Sequence, residues 1–278
     1  MGIAVKALMD EYQKLAKMNE NIQSIDDMQA FLERFPRFKS QSFNVSKHVA
    51  VLSEMARLVE VNGLLDASQF EQELACNDNH SEHLRLIIEK TSDPNVHPKD
   101  KLRLAMLYAL RYEDNPNFNL TLLKAKLQSR GISKDRVCLL DALLSYAGKD
   151  KRGSSGLYGE TTFISKIGKS ISSSLKGVEN VYSQHVPYMM SIIETAFKGK
   201  LKERDFPYSS PSASMTKPQE IIVYFVGGTT YEEATKVAEY NSSQSTNTVM
   251  LGGSCIHNFE SFVESLKDYT MNHFELSF

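Results

Sequence analysis

Six apolar residues in a row, Ile221 to Val226, break the rhythm of a chain whose hydrophobic side chains otherwise recur every three or four positions. Helical spacing commits roughly the first two thirds to amphipathic helices, and the run commits the C-terminal part to a sheet. At six residues the run is far too short to span a bilayer. Continuous rather than alternating hydrophobicity predicts a strand buried on both faces. A helix over 231–240, a second short strand at Thr248-Val249-Met250-Leu251 and a last helix at about 259–270 complete the pattern. That spacing fits one βαβ crossover, hence parallel strands. Two strands do not make a stable sheet alone, so the sheet is expected to need partners from elsewhere, and the sequence reads as incomplete.

Upstream, residues 3–17 place Ile3, Leu8, Tyr12 and Leu15 on one helical face. Ser24 and Asp27 have capping-box spacing and open a second helix carrying Met28, Phe31, Leu32 and Phe35, which Pro36 is expected to interrupt. Val45, Val49, Leu52, Met55, Leu58 and Val59 form a further stripe, and Gly63 supplies a stop. Residues 1–62 therefore read as a long helical hairpin with a proline in its return arm. From Asp66 to Gly148 the pattern is a set of shorter helices. Ser68 and Glu71 suggest one start, Pro98 another, and Gly131 and Gly148 two ends. Residues 149–159 read as an exposed linker, followed by helices at about 160–175 and 186–198 and an extended segment from Pro207 to Pro218.

Lys and Arg number 32 against 34 Asp and Glu, for a net charge of −2, which gives no general drive toward nucleic acid. The cysteines, Cys76, Cys138 and Cys255, are odd in number and far apart, which implies reduced thiols and a cytosolic setting. Met1-Gly2-Ile3 opens straight into an amphipathic stretch without the apolar segment of a signal peptide, so a soluble protein is expected. Between Ser165 and Arg204 a basic bias, Lys166, Lys169, Lys176, Lys198, Lys200 and Lys202 among it, is read first as a solvated face. An anionic lipid or acidic helix is the sharper alternative.

The most enzyme-like feature is a repeated strand, Gly-Gly, helix turn: Gly227-Gly228-Thr229-Thr230 and Gly252-Gly253-Ser254. Such turns can cradle phosphate at a helix N-terminus, but neither matches a dinucleotide or P-loop fingerprint. Thr229 and Thr230 are spaced to cap against Glu232 and Glu233, whose carboxylates would repel an anion. A structural turn is the preferred reading, and a phosphate-ligand or nucleotide-handling α/β enzyme is the alternative. Cys76, His80 and His83 could share a metal, but Asn77-Asp78-Asn79 argues for a helix break among them and no fourth ligand is evident. Cys255 and His257 are close in sequence, yet strand-to-turn geometry is not expected to pair them as nucleophile and base. His48, His97, His185 and His273 are scattered. No catalytic, cofactor or metal site is expected.

A longer pattern carries more than any one turn. Lys217-Pro218-Gln219-Glu220-Ile221-Ile222-Val223-Tyr224-Phe225-Val226-Gly227-Gly228-Thr229-Thr230-Tyr231-Glu232-Glu233-Ala234 resembles the closing βα segment of the SM (Sec/Munc) family of SNARE regulators. Leu251-Gly252-Gly253-Ser254, His257-Asn258 and Ser261-Phe262 are similar to that family's final strand and helix. Leu175-Lys176-Gly177-Val178-Glu179-Asn180-Val181-Tyr182-Ser183-Gln184-His185 resembles its endosomal branch. Lys198-Gly199-Lys200-Leu201-Lys202-Glu203 with Pro207-Tyr208, and Phe70-Glu71-Gln72-Glu73-Leu74-Ala75, fit as well.

The resemblance implies a mainly α chain with a C-terminal α/β part: hairpin, helical bundle, then a βαβ-α piece of an incomplete parallel sheet. Residues 1–62 would end domain 3a, 63–150 would be domain 3b, and 151–278 a linker and the second half of domain 2. It also implies a non-enzymatic protein without cofactor, metal, nucleic acid or small-molecule substrate. Its partners would be syntaxin and R-SNARE helices, with membrane contact peripheral and through SNAREs, in the cytoplasm at endosomal and Golgi membranes. The partner-binding residues would lie at the hairpin hinge and arm: Phe35, Pro36, Arg37, Phe38, Val45, Val49 and Leu52. Pro36 is expected to be a hinge that favours a folded-back tip.

Overall fold

The computed structural model describes residues 2–20, 24–152, 181–182, 184–209, 217–244 and 246–273. They divide into two compact units, 1–65 and 66–278. The helix expected at 160–175, Lys166, Lys169, Lys176 and most of the Pro/Ser-rich segment lie outside the described residues.

The first unit is a helical hairpin of α1 (Gly2–Glu20) and α2 (Ile25–Val61). Ser24 caps α2 reciprocally with Asp27, as the spacing predicts: the Ser24 side chain accepts from the Asp27 amide, and the Asp27 carboxylate accepts from the Ser24 amide. The arms are held by a stack of Tyr12 on Phe38, with ring centroids 5.3 Å apart, and by Glu11, which accepts from Arg37 at 3.2 Å and Gln41 at 2.7 Å. Against expectation, Pro36 does not interrupt the helix. α2 runs unbroken for 37 residues, because the missing proline N–H removes one bond while the turns on either side keep theirs. Gly63, at φ +59°, closes α2 as the sequence suggests.

The second unit opens with α3 (Leu64–Cys76), α4 (His80–Ser92), α5 (Pro98–Tyr112), α6 (Leu120–Ser129), α7 (Lys134–Ala147) and the single turn α8 (Lys149–Arg152). Ser68 proves to lie inside α3 rather than at its start: the helix restarts directly after Gly63 and buries Ala67, Phe70 and Leu74 on one face. Pro98 stands in the first turn of α5, and Asn119 caps α6. Leu74, Ile87, Leu102, Leu104, Leu127, Val137 and Leu140 form the fully buried centre of this bundle.

A second, smaller core joins α9 (Tyr188–Phe197), β1 (Glu220–Phe225), α10 (Tyr231–Ser243) and β3 (Thr248–Gly253). β1 and β3 pair in parallel, Glu220 beside Thr248 through Phe225 beside Gly253, so the crossover expected from the sequence is present. β2 (Thr229–Thr230) and β4 (Ile256–His257) form a second short parallel pair. α11 (Phe259–His273) returns to the helical bundle, packs on α7 and adds Val263 and Leu266 to its core. The expectation that β1 is buried on both faces fails. Its burial alternates: Ile221, Val223 and Phe225 turn toward the core, while Ile222 and Tyr224 turn outward and are 72% and 61% exposed.

Candidate functional site

The hairpin presents a row of apolar side chains to solvent. Ile25, Met28, Leu32 and Phe35 are exposed on α2 at steps of three, four and three residues, which place them on one face. Phe43 extends the row, and none of the residues of α2 is buried. α2 is about 55 Å long at 1.5 Å per residue and α1 about 28 Å, so a long part of the return arm has no counterpart in the hairpin. Of the candidate binding residues, Phe35, Pro36, Arg37 and Val49 are exposed. Phe38, Val45 and Leu52 are half-buried, on the side of α2 that meets Tyr12. Of the seven, Phe35 and Pro36 face outward, whereas Arg37, though exposed, reaches Glu11 of α1, and Val49 shares the stripe of Val45 and Leu52. Ile25, Met28, Leu32 and Phe43 belong with Phe35 on the outer face and were missed as binding candidates, although the apolar spacing from Ile25 to Phe35 announces that face.

The Gly-Gly turn after β1 is built around Glu233. Its carboxylate accepts from the Thr229 hydroxyl at 2.9 Å, the Thr230 amide at 2.7 Å and the Thr230 hydroxyl at 3.0 Å, and the Thr230 side chain returns the cap to the Glu233 amide. Thr229 thus pairs with Glu233 and not with Glu232. A carboxylate already fills the N-terminal end of α10, so the turn offers its free amides to no phosphate. This removes the phosphate site that the enzyme alternative would place at this turn.

His83 is fully buried. Its Nδ1 lies 2.6 Å from the Tyr112 hydroxyl and its Nε2 3.3 Å from Glu73, while His80 Nε2 lies 3.0 Å from the Tyr108 hydroxyl. Both rings are thereby tied to tyrosines, and Cys76 ends α3 on the other side of the Asn77–Asn79 break. Among the described residues no group of three or more His, Cys, Asp or Glu is arranged to hold a metal ion. Burial pushes the Tyr108 phenol up to about 12, with Tyr112 adding to the effect.

Cys255 and His257 correct the sequence reading. The bend after β3 brings Sγ within 3.3 Å of Nε2, and Nε2 also lies 2.8 Å from the Gly227 carbonyl. His257 borders a cavity of about 750 Å³ between the bundle and the β1 turn, lined by Leu107, Leu110, Phe225, Phe259 and Phe262 among others. Arg103, at its edge, is engaged by Glu71 and Asp100 and lies over the Phe259 ring.

The described chain thus combines a long amphipathic hairpin, a helical bundle and a parallel βαβ piece with a carboxylate-capped turn. Residues 1–265 match the Sec1 family, and the chain belongs to that family of SM proteins. It is 42% identical over 267 residues to vacuolar protein sorting-associated protein 45 of Rattus norvegicus and equally to that of Homo sapiens, covering 96% of this chain and 46% of each relative. A solved structure of the SM protein Vps45 in complex with the Qa SNARE Tlg2 superimposes with a TM-score of 0.81 at 37% identity, over 100% of this chain and 48% of that one. The Unc18–syntaxin 1 complex from Monosiga brevicollis shares the fold, with a TM-score of 0.68 at 16% identity over 96% of this chain and 48% of that chain. The chain spans about half the length of the curated relatives it matches. Among the described residues no helix is long and apolar enough to cross a membrane.

Proposed function

We propose that the chain is a non-enzymatic, SNARE-binding protein of the SM type. It would hold syntaxin and R-SNARE helices in register while a four-helix bundle forms during vesicle docking and fusion. The observation that carries this is the unbroken 37-residue α2 with Ile25, Met28, Leu32 and Phe35 exposed along one face. An amphipathic partner helix recognises such a row through anchors at the same three- and four-residue steps. Phe35 and Pro36 would touch the partner from the outer face, Arg37 and Phe38 would brace the arm against α1, and Val45, Val49 and Leu52 would continue the inner side along the arm. A relative's complex with the Qa SNARE Tlg2 supports syntaxin as a partner class. The setting implied is the cytoplasmic face of endosomal and Golgi membranes, reached through the SNAREs. Residues 1–62, 63–150 and 151–278 would correspond to the end of domain 3a, to domain 3b and to a linker with the second half of domain 2.

The test is a titration of labelled R-SNARE and syntaxin SNARE-motif peptides against the chain and a Leu32→Asp/Phe35→Asp variant. Burying a Leu or Phe contributes about 1.5–3 kcal/mol, so the double change is expected to weaken binding at least tenfold with helicity unchanged. Equal affinity for both proteins would remove the outer face of α2 from the binding surface.

A further inference from the structure

We propose that Cys255 is a modification site, a thiol that His257 activates for exchange with small disulfides such as oxidised glutathione. The two side chains come from the bend between β3 and β4, and Gly228 packs so closely on them that a Cβ there would lie 2.7 Å from Sγ. Their hydrogen bonds set the protons. The Gly227 carbonyl can only accept, so the contact of 2.8 Å places a proton on Nε2, and that N–H also lies 3.3 Å from Sγ. On the far side of the ring Nδ1 faces the Ser261 hydroxyl at 3.1 Å, and the same hydroxyl lies 3.1 Å from the Asn258 carbonyl.

Ser261 thus holds the ring so that Nε2–H is shared between the Gly227 carbonyl and sulfur, and Sγ itself lies 3.7 Å from the same carbonyl. A ring N–H donated to sulfur favours the thiolate, which is the nucleophilic form. The carboxylates that border the cavity do not compete for the ring: Glu233 is engaged by Thr229 and Thr230, and Glu71 by Arg103. Cys255 is also the exposed cysteine of the three. Cys76 is half-buried, and burial, with Glu73 adding to it, pushes its thiol up, which makes it a slow internal reference.

In the exchange the Cys255 sulfur attacks one sulfur of the disulfide and forms the mixed disulfide. The second sulfur leaves as a thiolate and takes the proton that the Cys255 thiol had given up. Cys255 is oxidised, the departing half is reduced, and no further reactant is needed.

The experiment incubates the full chain with oxidised glutathione at neutral pH and follows the adduct on each cysteine by peptide mass spectrometry. Cys255 is expected to react about tenfold faster than N-acetylcysteine and faster than Cys138 or Cys76. His257→Gln is expected to bring it to the rate of the free thiol, and Ser261→Ala, which keeps the ring, to an intermediate rate. Should His257→Gln fail to fold, the Ser261→Ala rate decides. A Cys255 rate equal to that of N-acetylcysteine, or one that a folded variant leaves unchanged, overturns the assignment.

Discussion

Gly228 holds φ at +112°, and a Cβ added there would meet His257 Cδ2 at 2.6 Å, whereas Gly227, at φ +109°, has nothing within 4 Å of the same position. The two neighbours therefore share a backbone cost and differ in a contact. A side chain in such a sparsely populated conformation costs about 1–3 kcal/mol. Gly227→Ala is expected to lose about that much stability in urea denaturation and Gly228→Ala clearly more, because the His257 ring must also move. Equal losses would mean that the packing of Gly228 on His257 and Cys255 contributes nothing. Tyr112 offers a second measurement at this scale. Its hydroxyl accepts from the Asn79 amide at 3.1 Å and meets buried His83 at 2.6 Å, so Tyr112→Phe strands two polar groups at once. A loss of about 1–3 kcal/mol is expected, and a loss below about 0.5 kcal/mol would mean that water replaces the hydroxyl. Little of this was legible in the sequence. The Asn77–Asn79 break was visible, but the tyrosines that claim His80 and His83 lie some thirty residues away on α5.

Among the elements, α2 shows what local rules reveal and where they stop. Its start was legible because Ser24 and Asp27 act within one turn, and its end because Gly63 has a conformation of its own. Pro36 was misread because the rule weighs one missing hydrogen bond without the bonds of the flanking turns and the Tyr12–Phe38 stack beside it. The start of α3 was misread for a similar reason: Ser68 has the right spacing, but burial of Ala67 and Phe70 requires the helix to begin earlier. Pro36 still leaves the Leu32 carbonyl without its helical donor and crowds that turn, at a cost of about 3 kcal/mol in a helix interior. Pro36→Ala is expected to slow amide exchange over residues 32–41 by tenfold or more, since about 1.4 kcal/mol is a factor of ten. If the arm works as a continuous surface, partner affinity should hold or rise. Faster exchange in the variant would show that the proline is accommodated without strain.

At the scale of the whole molecule, the sheet has one face covered and one bare. α9 and α10 share a core with Ile221, Val223 and Val249, while Ile222, Tyr224, Val226 and Met250 face solvent, Val226 at 91% exposure. The sequence encodes apolar residues on both sides of β1, which is why alternation was invisible there, whereas the described residues supply a cover for one side only. The second cover has to come from another segment or another molecule. Among the described residues β1 and β3 are both edge strands, and Asn241 pairs with the outer N–H and C=O of Val249, which leaves β1 as the more open edge beside the bare apolar face. The chain alone is therefore expected to self-associate as its concentration rises. Ile222→Thr with Val226→Thr keeps strand propensity while removing two outward apolar groups, and Ile222 and Val226 stand apart from the hairpin stripe in sequence and in unit. Sedimentation velocity across a concentration series should show the double variant monomeric where the parent is not. Association that persists undiminished in the double variant, and disappears instead with Leu32→Asp/Phe35→Asp, would move the adhesive surface from the sheet to the outer face of α2.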